Sequence, residues 1–177
     1  ELLIKSDTFC MLPWQHIHAF PDGRAYPCCF SLDKYPVGDL NKDSMETVFN
    51  GTDMKQMRLN MLANKSSKQC TKCYDQEKSG FFSLRLSSNK HFGHNIGMIE
   101  NTEADGSADF VIKYWDIRFS NLCNLACRSC GTWFSSNWYE DHKKLTGKPP
   151  EHAKIMRVGR SSNDIWEQML EQFEHVE

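Results

Sequence analysis

Ser120-Asn121-Leu122-Cys123-Asn124-Leu125-Ala126-Cys127-Arg128-Ser129-Cys130 sets three cysteines in the spacing C-x3-C-x2-C. A strand-like run from Phe110 to Phe119 precedes it. After it, Gly131 to Leu145 reads as a helix with Phe134, Trp138 and Leu145 on one face, ended by Gly147 and Pro149-Pro150. Ser162 or Asn163 is placed to cap another helix, with Ile165, Met169 and Phe173 four residues apart, and His175-Val176-Glu177 reads as the start of a further strand. Strand, loop, helix, helix, strand is the opening of a βα series on a parallel sheet. Three thiolates on one short loop can hold three irons of a four-iron cluster and leave the fourth without a protein ligand. An open metal position lets a site do chemistry as well as hold structure.

The strand-like run itself has two faces. Val111, Trp115, Ile117 and Phe119 make one apolar, while Asp116 and Arg118 share the other. A polar pair near the C-terminal end of a strand can face an active site in an α/β barrel. It can equally be a buried ion pair with no catalytic role, and both readings stand.

Composition narrows the classes. The 177 residues suffice for one domain or two small ones, and 40% hydrophobic and 12% aromatic content is enough for a core. A net charge of -2 gives no basic field for nucleic acid, and no apolar run approaches a membrane span. No signal peptide is recognisable, and the cysteine usage points to the cytoplasm. Eight cysteines, with two C-x2-C pairs among them, suit metal better than a disulfide framework. Zinc and iron–sulfur both remain candidates at this point.

The other cysteines lie upstream. Trp14, His16, His18 and Phe20 alternate with Gln15, Ile17 and Ala19, a period-two strand pattern. Pro21-Asp22-Gly23 is a turn, and Arg24 to Phe30 reads as the returning strand. With Phe20 opposite Arg24, Cys28 falls opposite His16, and Pro13 must bend the chain if Cys10 is to share a metal with Cys28. Asp43 and Glu46 resemble a capping box for a short helix stopped by Gly51. Asp53 is placed to cap the next helix, whose Met54, Met57 and Met61 read as core. Cys70-Thr71-Lys72-Cys73 opens a helix ending near Gly80, where amide groups favour thiolate. Arg85 can meet a carboxylate of a bound substrate, but reads first as a surface or interdomain salt bridge. His16 and His18, on one strand face, could bind zinc, but the histidines read first as neutral non-ligands.

The C-x3-C-x2-C loop after a strand resembles the radical S-adenosylmethionine (SAM) enzymes. That resemblance implies a [4Fe-4S] cluster on Cys123, Cys127 and Cys130, with SAM chelating the open iron. Cys10, Gly23 with four residues before Cys28, and the C-x2-C of Cys70 and Cys73 resemble the twitch domain, the shortened relative of the SPASM domain. By that resemblance Cys10, Cys28, Cys70 and Cys73 bind an auxiliary [4Fe-4S] cluster. Cys29 is left over, because adjacent residues of a strand point to opposite sides, and is expected to pack in the core. Ser129 stands where the radical SAM family places an aromatic residue, no Gly-Gly pair occurs, and the twitch motif precedes the barrel motif.

The expected fold is an α+β cysteine-rich twitch-like domain, a β-hairpin plus short helices, over 1–92. A linker over 93–109 leads to the first βα unit of an α/β partial TIM barrel over 110–177. The chain is expected to be the N-terminal part of an enzyme, or a truncated one. The implied activity is reductive cleavage of SAM to a 5′-deoxyadenosyl radical that modifies a peptide or small-molecule substrate, with an electron donor such as flavodoxin or ferredoxin. No catalytic residue is assigned. The alternative is a non-enzymatic zinc module on Cys10, Cys28, Cys70 and Cys73.

Overall fold

The computed structural model describes residues 1–159 and 165–176. The expected helix cap at Ser162 or Asn163, and Glu177 of the expected last strand, lie outside the described residues.

A short helix α1 (Leu2–Lys5) leads to a 3-10 turn at Leu12–Trp14, which contains Pro13. Strand β1 (His16–Ala19) and strand β2 (Arg24–Tyr26) pair antiparallel, with His18 opposite Tyr26. The Phe20 N–H donates to the Arg24 carbonyl at 3.0 Å, and Gly23 takes φ +93° in the turn between them. Gly is needed there both for that angle and because a Cβ would stand 2.3 Å from the Asn41 amide. The returning strand is shorter than expected. It stops before Pro27, which has no N–H to give the ladder.

Strand β3 (Gly38–Asp39) adds to β2, and strand β4 (Tyr114–Ile117) lies parallel to β1, giving the sheet order β3-β2-β1-β4. Pairing at β4 covers less than the expected 110–119 because β1 is itself only four residues long. The Arg118 N–H adds one more bond, to the Ala19 carbonyl at 3.1 Å. By register His16 and His18 share a face with Tyr114 and Asp116, and Ile17 and Ala19 share the other with Trp115 and Ile117.

Helix α2 (Met45–Phe49) is capped by Ser44, whose Oγ accepts the Thr47 N–H, rather than by Asp43. Gly51 precedes helix α3 (Thr52–Leu62), which leaves Asp53 in the first turn instead of the cap position. Met54, Met57 and Met61 are buried in the main core with Phe9, Trp14 and Phe49. Helices α4 (Thr71–Lys78) and α5 (Leu84–Phe92) follow, then a long 3-10 stretch at Gly93–Asn101.

The stretch 93–109, expected as an exposed linker, is packed against the first region. Trp14 Nε1 donates to Thr102 at 2.8 Å. Fully buried Arg58 donates to the Gly106 and Pro13 carbonyls, the Phe49 carbonyl and the Asn50 side chain, all within 3.1 Å. A buried guanidinium requires such acceptors, so Arg58 recruits this segment. Together with β4, which joins the sheet of β1, these contacts carry one core across the expected boundary.

Helix α6 (Trp138–Thr146) begins later than the expected Gly131. Ser135 and Ser136 are committed instead to the cysteine loop, through Ser135 Oγ to the Leu125 carbonyl at 2.6 Å and Ser136 N–H to the Asn121 carbonyl at 2.7 Å. Gly147 at φ +72° ends the helix. Helix α7 (Ile165–Leu170) buries Ile165 and Met169, and His175 lies in a 3-10 turn rather than a strand. Among the described residues, no helix is long and apolar enough to cross a membrane.

Candidate metal centre

Cys10, Cys28, Cys70 and Cys73 line one small cavity together with Leu12 and Arg85. Each arrives from a different local device. The 3-10 turn at Leu12–Trp14 folds the chain back just after Cys10, and Asn89 holds that bend from both sides. Its Oδ1 accepts the Met11 N–H and its Nδ2 donates to the Phe9 carbonyl, both at 2.9 Å. Cys28 follows the end of β2, and its neighbours are tied to the Cys70 segment by Leu32 N–H to the Gln69 carbonyl at 3.2 Å. Cys70 caps α4 and Cys73 lies in its first turn.

Cys10 and Cys73 are buried, Cys28 and Cys70 are half-buried, and all four are free thiols, as are the other four cysteines. Burial pushes the Cys10 thiol up to about 12, and it raises Cys28, Cys70 and Cys73 as well. The neighbouring thiols add to the rise at each of Cys10, Cys28 and Cys70. Four thiolates therefore cannot stand together here without a compensating cation. A soft metal centre supplies that charge by displacing the protons. Among the described residues, no three or more His, Cys, Asp or Glu side chains form a group suited to a single metal ion. The all-sulfur donor set fits an iron–sulfur cluster.

The family model described as SPASM, iron-sulfur cluster-binding domain, matches residues 10–74. Residues 10–74 resemble a SPASM domain. The match takes in all four cysteines of the cavity and covers a little over a third of the chain. No curated protein matches the chain, and no solved structure does.

Within the matched residues, Cys29 is exposed rather than packed in the core, contrary to expectation. It lies against Asp116 of β4, whose charge, after partial burial, helps raise its thiol. Asp116 also meets His18, with Oδ2 2.9 Å from Nδ1, and this contact holds its carboxyl below the usual range. The approach is close but misaligned for a hydrogen bond, and His18 Nε2 is buried without a partner. Arg118 lies over the Phe134 ring, 4.3 Å from its centroid, so of the two readings for Asp116 and Arg118 the mutual ion pair gives way to separate partners. His16 is buried, and its Nδ1 donates to the Tyr114 carbonyl at 2.8 Å, which fixes the tautomer because a carbonyl only accepts.

The second cysteine group follows β4 directly. Cys127 is exposed, and Cys123 and Cys130 are half-buried. Fully buried Asn121 fastens the loop. Its Nδ2 donates to the Thr132 and Lys154 carbonyls at 3.2 and 3.1 Å, and its Oδ1 accepts the Met156 N–H at 2.8 Å. Trp138 Nε1 donates to the Cys127 carbonyl at 3.1 Å, and the Cys130 N–H closes a turn onto the same carbonyl at 2.9 Å. The Leu125 N–H donates to Cys123 Sγ at 3.4 Å. Phe134, just past the loop, stacks on Phe20 of the hairpin turn with centroids 5.6 Å apart. This contact ties the second group to the hairpin of the first region.

Sequence reasoning read Arg85 chiefly as a surface or interdomain salt bridge. It is instead 5% exposed, pairs with Glu77 and lines the cysteine cavity. One local signal was available: Ser83 two residues earlier caps α5, with its Oγ accepting the Leu86 N–H at 3.2 Å.

Proposed function

We propose that the chain carries two clusters of a radical SAM enzyme. An auxiliary [4Fe-4S] cluster would be held by Cys10, Cys28, Cys70 and Cys73, and a SAM-binding one by Cys123, Cys127 and Cys130. The supporting observation is the pairing of a four-thiol cavity within the SPASM match with a three-thiol loop at the end of the neighbouring parallel strand. When bound, a cluster with an open iron supplies the coordination site for SAM and the electron that splits it into methionine and a 5′-deoxyadenosyl radical.

The chain's own residues provide ligation and placement. The burial of Cys10 and Cys73 suits electron transfer or substrate anchoring more than SAM chemistry. The exposed three-thiol loop leaves room for a ligand. Asn121, Ser135, Ser136 and Trp138 hold its backbone independently of any metal. The substrate would be a peptide, protein or small molecule, and a flavodoxin or ferredoxin of a reducing cytoplasm would donate the electron.

Iron, sulfide and zinc content with Mössbauer spectra of anaerobically reconstituted chain tests this reading. About eight irons per chain in two four-iron clusters is the expected result. About one zinc with no sulfide would overturn it and leave a closed zinc module.

A further inference from the structure

The N-terminal end of α5 borders the four-cysteine cavity, outside residues 10–74 of the SPASM match. Arg85 lines the cavity itself, and the charge of its guanidinium acts on Cys10, Cys70 and Cys73.

That guanidinium cannot swing away. Nε donates to Glu77 Oε1 at 2.9 Å, and Nη2 bonds to the other Glu77 carboxylate oxygen. Nη1 donates to the Ser6 and Phe9 carbonyls at 3.0 and 2.9 Å. Ser83 bonds the same Glu77 carboxylate, so serine, glutamate and arginine form one part-buried unit beside the thiols.

We propose that Arg85, held by Glu77 and Ser83, sets the reduction potential of the cluster on Cys10, Cys28, Cys70 and Cys73. The inference rests on the cluster reading above. Reduction adds one electron to a centre already carrying four thiolates. A fixed, desolvated cation beside it stabilises the reduced form, and the Ser83 hydroxyl, by bonding Glu77, offsets part of the carboxylate's opposing charge. The Glu77 carboxylate opposes Arg85, so the potential reflects the balance of the pair. A merely structural Arg85 would need only its two carbonyl partners and would leave the potential alone.

The test is a reductive titration of the auxiliary cluster followed by electron paramagnetic resonance. It uses full-length chain in which Cys123, Cys127 and Cys130 are all alanine, so that one cluster remains. Arg85→Met should move the midpoint to more negative potential by at least tenfold in the reduction equilibrium, about 59 mV for one electron. Glu77→Gln should move it the opposite way, Ser83→Ala should lower it, and Arg85→Lys should stay close to the unaltered chain. Should Arg85→Met fail to assemble its cluster, the opposed shifts of Glu77→Gln and Ser83→Ala decide the matter. Clusters assembled at full iron content with unmoved potentials would overturn the role of Arg85 alone. Absence of iron and sulfide from the unaltered site would overturn the cluster reading and this inference with it.

Discussion

Cys28 and Cys29 are neighbours in sequence that meet different partners. Cys28 lines the cavity with Cys10, Cys70 and Cys73, while Cys29 stands exposed against Asp116 of β4. Cys28→Ala and Cys70→Ala should each abolish the auxiliary cluster, Cys127→Ala should abolish the other, and Cys29→Ala should leave both. Iron and sulfide counts per chain check this, and loss of a cluster in the Cys29 variant would reassign the ligand.

Asn121 bonds the cysteine loop to two distant segments and has no exposed surface. Asn121→Ala strands a buried N–H and several carbonyls, at a cost of about 1–3 kcal/mol for each unpaired group. Iron content should fall from about eight to about four per chain, with the auxiliary cluster retained. Equal loss from both sites would show that Asn121 supports the whole fold rather than this loop.

Arg58 has no carboxylate partner among its hydrogen bonds, and burial brings its guanidinium down to about 10. Arg58→Met keeps most of the volume and strands four acceptors. The expected loss is roughly 3–5 kcal/mol in urea unfolding. A loss under about 1 kcal/mol would mean that water replaces the guanidinium.

Gly106 takes φ +88°, and a Cβ there would lie 2.4 Å from the Lys55 carbonyl oxygen. Gly106→Ala should cost about 1–3 kcal/mol from strain and collision combined. Gly80, at φ +81° with open space around it, serves as the control. Gly80→Ala should cost only about 1–2 kcal/mol. Thermal unfolding of the two variants separates crowding from backbone angle.

His16 is buried as a neutral ring, and burial lowers it from the ordinary 6.5 to about 4. The unfolded chain therefore binds a proton that the folded chain refuses between those values. Stability from this group is whole above pH 6.5 and is lost as pH falls toward 4. The full loss amounts to about 3 kcal/mol. His16→Gln should flatten that part of the profile, measured as the stability difference between variant and parent at pH 7.5 and 5.0. Parallel profiles would show that His16 charges freely in the fold.

Local rules made several features legible. The Pro21-Asp22-Gly23 turn, the methionine stripe of α3 and the helix opening at Cys70-Cys73 each depend on a few neighbouring residues. Helix ends were less so. Ser44 rather than Asp43 caps α2, and α6 starts at Trp138 because two serines are drawn to the cysteine loop. In each case a competing polar partner, invisible to periodicity, decided the boundary.

The sequence by itself determined which side chains can serve as ligands and how they are spaced. Thiol chemistry and short-range backbone preferences reside in the residues themselves. Only the tertiary structure decided that β4 lies parallel to β1 in one sheet, that Cys29 turns toward Asp116, and that Arg58 and Arg85 are buried. Each of these depends on partners far along the chain, such as the Gly106 carbonyl for Arg58 and the Ser6 and Phe9 carbonyls for Arg85. A charged group is buried only where such acceptors converge, and convergence is a property of the folded chain.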